Sequence, residues 1–187
     1  MKKFYKKMKG AGPRPLLKKA FEFTQNSNKG GKAYDLGCGI GQDTFALVEK
    51  GFEVKAVDLS PDAFDFMDKE NGKNENVEQI VSSLEELNIQ SCDFINASFV
   101  LPFIRSEQFD HVLQKIKNSL NDRGLFVGNF FGSKDDWSSR LVTKTMDEVK
   151  KYFEDFNILY SFEFEDDRLP AVGPIKHWHI IEIIARR

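Results

Sequence analysis

Cysteine is scarce in this 187-residue chain: Cys38 and Cys92 are the only two, too few for a disulfide framework or a zinc site. No apolar run approaches the roughly 18–20 residues that cross a bilayer, and the basic amino terminus has no apolar segment of the kind a secretory signal carries. A reducing cytoplasm is the expected compartment, with no membrane partner. Acidic residues are missing from positions 1–19, which hold Lys2, Lys3, Lys6, Lys7, Lys9, Arg14, Lys18 and Lys19. The remainder carries 19 basic against 29 acidic residues, a net −10 that argues against a nucleic-acid partner. The basic arm is either a solvated segment or an attractor for a small anion. Repeats and low-complexity linkers are absent too, and the length suits one core, so a single domain over 1–187 is expected.

What is present centres on Ala33-Tyr34-Asp35-Leu36-Gly37-Cys38-Gly39-Ile40-Gly41-Gln42-Asp43. An apolar run ends in a carboxylate, three glycines alternate, and a helix pattern begins. Glycines at such a turn permit positive φ and close approach of backbone to a ligand. A dinucleotide site wants Gly-x-Gly-x-x-Gly. Here the third glycine arrives one residue early, at Gly41, and Gln42 stands where that pattern wants glycine. Asp35 is a poor neighbour for a pyrophosphate and suits a ligand carrying an ammonium and a sulfonium. About twenty residues past the first glycine, the apolar stretch 52–57 ends in Asp58, where an acidic group in such folds accepts hydrogen bonds from ribose hydroxyls. Ser60-Pro61 then reads as the N-cap and first turn of a helix.

The rest alternates strand and helix. Helical spacing after Pro15 (Leu16, Leu17, Ala20, Phe21, Thr24) ends in a polar turn at 26–31. Strands are expected at 32–36, 52–57, 77–82, 92–97 and 125–131, with helices at 41–50 (closed by Gly51), from 61 to about 72, and along the stripe Phe109, Val112, Leu113, Ile116, Leu120. The Asn-Asp-Arg-Gly run at 121–124 is expected to separate that helix from the fifth strand. Thr145-Met146-Asp147-Glu148 has the form of a capping box. Phe156, Ile158, Tyr160, Phe162 and Phe164 alternate as a strand does. An acidic loop over 165–176 leads to a last strand at 177–185. Strands interleaved with helices imply a parallel sheet covered on both faces, and the final helix-free connection implies an antiparallel last strand.

The Asp-x-Gly-x-Gly-x-Gly loop resembles the first motif of the class I S-adenosylmethionine-dependent methyltransferases, and the antiparallel ending is another trait of that family. The resemblance implies an α/β, Rossmann-like three-layer sandwich with a seven-stranded, mostly parallel sheet and an antiparallel last strand. Its cofactor would be S-adenosyl-L-methionine, leaving S-adenosyl-L-homocysteine. It further implies that Asp35, Gly37, Cys38, Gly39 and Gly41 pass the backbone around the methionine portion, that Asp58 takes the ribose, and that Leu59 packs on the adenine face. Ser83 stands where many members have an acid for the adenine amino group, leaving the Leu84 amide for the ring. The Asn96 carbonyl would lie near the cofactor's amino group.

The chain resembles more closely a short bacterial subgroup akin to tellurite-resistance and thiopurine methyltransferase-like proteins. The carrying features are Phe4-Tyr5 and Arg14-Pro15-Leu16-Leu17, the compact core, Gly128-Asn129-Phe130-Phe131-Gly132, and the closing His177-Trp178-His179-Ile180-Ile181-Glu182. That likeness implies an amino-terminal helical segment, 1–31, folded over the cofactor site of a 32–187 core. Tyr5 and Arg14 would then lie near the substrate or the cofactor carboxylate, and Phe99, Phe103, Phe130 and His177 near the acceptor.

Asn96-Ala97-Ser98-Phe99 lacks the Pro-Pro of amino-methylating enzymes of nucleic acid or glutamine, and no Pro-Cys pair supplies a cytosine-carbon nucleophile. A small-molecule acceptor remains, a thiol or a chalcogen oxyanion among the candidates, since a soft nucleophile needs little help from a base. No catalytic side chain is assigned. His177 and His179 share a strand face, but with His111 on a helix no third metal ligand follows, so no metal is expected. A monomer or homodimer is expected. Two other readings stay open: a non-catalytic S-adenosylmethionine-binding module, and a nicotinamide-dependent oxidoreductase.

Overall fold

The computed structural model describes residues 2–24 and 31–187. The polar turn expected at 26–31 therefore lies outside the described residues except for Gly31. Seven strands form one sheet: β1 (Lys32–Leu36), β2 (Glu53–Asp58), β3 (Val77–Val81), β4 (Cys92–Ala97), β5 (Leu120–Phe131), β6 (Asn157–Arg168) and β7 (Lys176–Arg186). Their spatial order is β3-β2-β1-β4-β5-β7-β6. The pairs from β3 across to β5 are parallel. Strand β7 enters antiparallel between β5 and β6, as the helix-free connection requires.

Burial explains the layers. In β1 every residue after Lys32 is buried, because the central strand is covered on both faces. Ala33, Val54, Phe94 and Val127 pack beneath α2 (Pro15–Ala20) and α3 (Gln42–Glu49). Tyr34, Ile95, Phe126 and Phe130 pack on the opposite face with α5 (Phe109–Ser119) and α6 (Met146–Tyr152). The stripe Phe109, Val112, Leu113, Ile116 is the buried side of α5, and α4 (Pro61–Asn71) buries Ala63, Phe64 and Met67. The Thr145–Glu148 capping box forms: the Glu148 amide donates to Thr145 Oγ1 at 3.2 Å, and the Thr145 amide to Glu148 Oε2 at 2.7 Å. Gly51, at φ 91°, closes α3. A short helix α1 (Lys2–Met8) precedes α2.

Four expectations are corrected. The 121–124 run is a bulge inside β5 rather than a separator: Leu120 pairs with Cys92 and Leu125 with Phe94, and Arg123 turns through φ 65° between them. The acidic loop is shorter than 165–176, because Glu165, Asp167 and Arg168 pair across strands with His179, His177 and Lys176 and extend the hairpin. Helix α2 ends at Ala20, and Phe21–Phe23 tightens to a 3₁₀ turn. Ser60 holds the N-cap position of α4 but its side chain caps nothing. Among the described residues no helix is long and apolar enough to cross a membrane.

Candidate functional site

The glycine loop follows β1 directly and its three glycines do different work. Gly37 has φ 69°, and a Cβ there would meet the Val100 side chain at 2.7 Å. Gly41, at φ 87°, has Met67 at 2.9 Å. Gly39, at φ 55°, has nothing within 4 Å of a Cβ, so its bare side faces open space. The Cys38 amide bonds the Val57 carbonyl at 2.9 Å, tying the loop to β2. Burial pushes the Cys38 thiol up, which keeps it protonated and unreactive.

Asp58 sits at the end of β2 and clamps the loop. Its Oδ2 accepts from the Gly39 amide and its Oδ1 from the Ser60 amide, both at 2.9 Å. A carboxylate has about four lone-pair positions, so about two remain for a ligand. Leu59 beside it is 69% exposed.

Beneath the loop lies a buried polar network. Asp35 and Asp43 are both fully buried. Asn96 Nδ2 donates to Asp35 Oδ1 at 2.8 Å and to Asp43 Oδ2 at 3.0 Å, bridging the two acids. Thr44 Oγ1 donates to Asp35 at 2.6 Å, and Ser98 Oγ to Asn96 Oδ1 at 2.7 Å. Asp43 also accepts from the Arg14 amide and guanidinium, at 2.8 and 2.5 Å. Burial, with Asp43 adding to it, pushes the Asp35 carboxyl up to about 6. Two acids thus share one fixed cation, which leaves the network able to balance a further positive charge.

Arg14, expected near the cofactor carboxylate or the substrate, pairs with Asp43, with its guanidinium 5.9 Å from the Phe99 ring centre. Asn96 acts here through its side-chain amide, where the sequence reading emphasised its carbonyl. Asp43 and Thr44 escaped the sequence reading because an acid in the first turn of a helix already has an explanation in the helix dipole.

The third strand end holds Ser83 and Leu84. Ser83 Oγ accepts from the Glu86 amide at 3.2 Å, stabilising a turn. The Leu84 side chain is buried, and its carbonyl accepts from Lys115 Nζ at 2.8 Å.

At the carboxyl ends of β4 and β5 an aromatic cluster gathers. Phe99 lies 6.3 Å from Phe131 and 6.1 Å from Trp178, and Phe103 lies 6.3 Å from Phe131. Trp137 lies 5.5 Å from Trp178. Phe99 adopts φ 58°, rare for so large a residue, and its amide is held by Asn129 Oδ1 at 2.6 Å. Lys176 Nζ sits 3.8 Å from the ring centres of both tryptophans and pairs with buried Asp135.

Two residues expected near the acceptor lie outside this cluster. Phe130 points to the opposite face, buried against Phe109 at 6.2 Å, and Phe131 takes the place expected for it, because neighbours on a strand face opposite ways. His177 likewise faces away from Lys176 and Trp178. Its Nδ1 bonds Asp167 at 2.7 Å and its Nε2 bonds Glu165 at 3.3 Å, and Asp167 chiefly holds the imidazole up from its ordinary value.

Tyr5, on α1, is 1% exposed and packs on Phe4 and Phe66, with Ile40 and Ala63 in the same cluster. Its hydroxyl has no hydrogen-bond partner.

A seven-stranded sheet in this order, its one antiparallel strand beside the fifth and helices on both faces, is the fold of the class I S-adenosylmethionine-dependent methyltransferases. Within that class the chain belongs to the family of the tellurite resistance protein TehB, whose family model matches residues 20–168. The crystal structure of TehB from Haemophilus influenzae superposes with a TM-score of 0.79 over 98% of this chain and 65% of that one, at 20% identity. A Burkholderia thailandensis 1,6-didemethyltoxoflavin-N1-methyltransferase, solved with 1,6-didemethyltoxoflavin and S-adenosylhomocysteine bound, gives 0.69 over 93% of this chain and 77% of that one, at 21% identity. In sequence, the chain is 28% identical over 133 residues to a probable S-adenosyl-L-methionine-dependent methyltransferase TehB of Haemophilus influenzae, covering 68% of this chain and 46% of that protein. It is 33% identical over 106 residues to a carboxy-S-adenosyl-L-methionine synthase of a Psychrobacter species, covering 51% and 39%. The chain thus spans less than half the length of these two curated relatives.

Proposed function

We propose that this chain is an S-adenosylmethionine-dependent methyltransferase acting on a small-molecule acceptor. The observation that carries the reading is the Asp58 carboxylate, bound by the Gly39 and Ser60 amides and still holding lone pairs beside the open side of Gly39. The residues fit the cofactor. Asp58 can accept from the ribose diol, exposed Leu59 can cover the adenine, and the Asp35–Asp43 network carries the negative charge that an ammonium and a sulfonium require. The unpaired Tyr5 hydroxyl points to an absent polar partner.

When bound, the cofactor supplies an electrophilic methyl group on a sulfonium. The protein's contribution is placement and exclusion of water. Asp58 and the glycine loop hold the nucleoside end. The amino-terminal residues 2–24 would cover the site: α1 packs on Ile40 of the loop, and Arg14 ties the chain to Asp43. Phe99, Phe103, Phe131 and Trp178 form an apolar wall at the ends of β4 and β5 that would face the acceptor. These four side chains include no base. That favours an acceptor that ionises unaided, a thiolate or a chalcogen oxyanion. Isothermal titration tests the reading: a single-site isotherm with S-adenosylhomocysteine is expected, and no heat from well-folded protein would refute it.

A further inference from the structure

The Tyr5 hydroxyl is the one buried side-chain polar atom without a partner among the described residues. Folding has removed this phenol from water without giving it a hydrogen bond of ordinary geometry in return. An unpaired buried group in an otherwise satisfied structure marks a missing partner.

The surroundings locate that partner. Tyr5 packs on Ile40, in the glycine loop, and on Ala63, in the first turn of α4. Burial raises the phenol's pKa; Ser60 favours the ionised form, and Asp58, Cys38 and Asp62 oppose it. Packing on Ile40 and Ala63 puts the ring at the nucleoside end of the site, within the field of Asp58. The Ser60 hydroxyl lowers the phenol's pKa through a side-chain interaction, yet no hydrogen bond of ordinary geometry joins the two.

A sugar diol at Asp58 donates both its protons to the carboxylate. Its two oxygens then keep lone pairs and lack a donor. The donor set nearby is nearly used up, since the Gly39 and Ser60 amides already point at Asp58. The Tyr5 O–H is a donor with no acceptor. We propose that Tyr5 is a nucleoside-binding residue, donating to a ribose hydroxyl held by Asp58, so that α1 docks most firmly when a ribonucleoside ligand is present. This moves Tyr5 from the substrate or the cofactor carboxylate to the cofactor's ribose, and it rests on the cofactor reading above.

The test pairs a protein hydroxyl with a ligand hydroxyl. Wild type and Tyr5→Phe, which keeps the ring and its packing, are titrated with S-adenosylhomocysteine and with its 2′-deoxy and 3′-deoxy analogues. Tyr5→Phe should weaken S-adenosylhomocysteine roughly three- to tenfold, the range of one neutral hydrogen bond. For one of the two analogues it should change affinity less than twofold, because the partner is already gone. Ligand-free Tyr5→Phe should melt no lower than wild type, having lost an unpaired group. A second readout needs no variant: at matched saturation, trypsin cleavage at Lys6, Lys7 and Lys9 should slow more with S-adenosylhomocysteine than with that analogue.

Equal loss of affinity for all three ligands, or none, would overturn the assignment while leaving the cofactor reading intact. Absence of S-adenosylhomocysteine binding by wild type would overturn both.

Discussion

Arg14 and Asp43, 29 positions apart, are joined twice: the Arg14 amide donates to Asp43 Oδ1 at 2.8 Å and its guanidinium to Oδ2 at 2.5 Å. One residue thereby fixes both backbone and side chain of the amino-terminal segment onto the first turn of α3. The carboxylate is fully buried and the arginine side chain is 20% exposed.

Removing the cation leaves Asp43 buried beside a second acid. Arg14→Ala is expected to lose about 2–3 kcal/mol of stability, below the range for a fully buried pair because Arg14 is partly exposed. Urea unfolding measures it. Arg14→Lys should recover only part, since the fork geometry is lost.

Asp35 predicts a pH dependence. Its carboxyl is raised from an ordinary 3.8 to about 6, by burial first and Asp43 second, while Thr44, Arg14 and Asn96 pull it down. The folded state therefore binds more protons than the unfolded state between those values. This contribution to stability falls as pH rises through that window and is flat above it. The stability of wild type relative to Asp35→Asn should decline from about pH 4 to about pH 6. A difference that rises or stays level across that range would contradict the assignment.

Two of the three loop glycines should separate folding from binding. Gly37→Ala puts a methyl group 2.7 Å from Val100 Cγ2 at φ 69°, so it combines backbone strain with a clash and should lower the melting temperature markedly. Gly39→Ala meets open space and should cost only the strain of its φ of 55°, about 1–2 kcal/mol. Yet it fills the side left open for a ligand. Calorimetry should find a folded protein whose affinity for S-adenosylhomocysteine falls at least tenfold.

Lys176 holds the aromatic cluster together from inside. Its partner Asp135 is buried and also accepts from the Trp137 amide at 2.9 Å and the His179 amide at 3.1 Å. Lys176→Met would strand that carboxylate, with an expected loss of about 3–5 kcal/mol. Tryptophan emission should change with it, because Trp137 and Trp178 both lie against the ammonium. Adding Asp135→Asn should restore part of the stability.

The amino-acid sequence by itself determined the periodic features. Alternation and helical spacing give strands and helices nearly where they form, and the glycine loop with the helix-free ending defines the sheet class, because these signals are local and repeat along the chain. Its boundaries slipped where side chains pair at a distance: the β6–β7 hairpin runs past its expected loop as Asp167 and Glu163 on one strand meet His177 and His179 on the other. Only the tertiary structure decided which of Phe130 and Phe131 faces the aromatic cluster, since a strand's parity is set by what covers each face. It alone brought Arg14 to Asp43, Asn96 between two acids, and Tyr5 over the glycine loop without a partner. Those relationships join distant positions of the chain, and burial, which gives each of them its energy, exists only once the chain has closed around them.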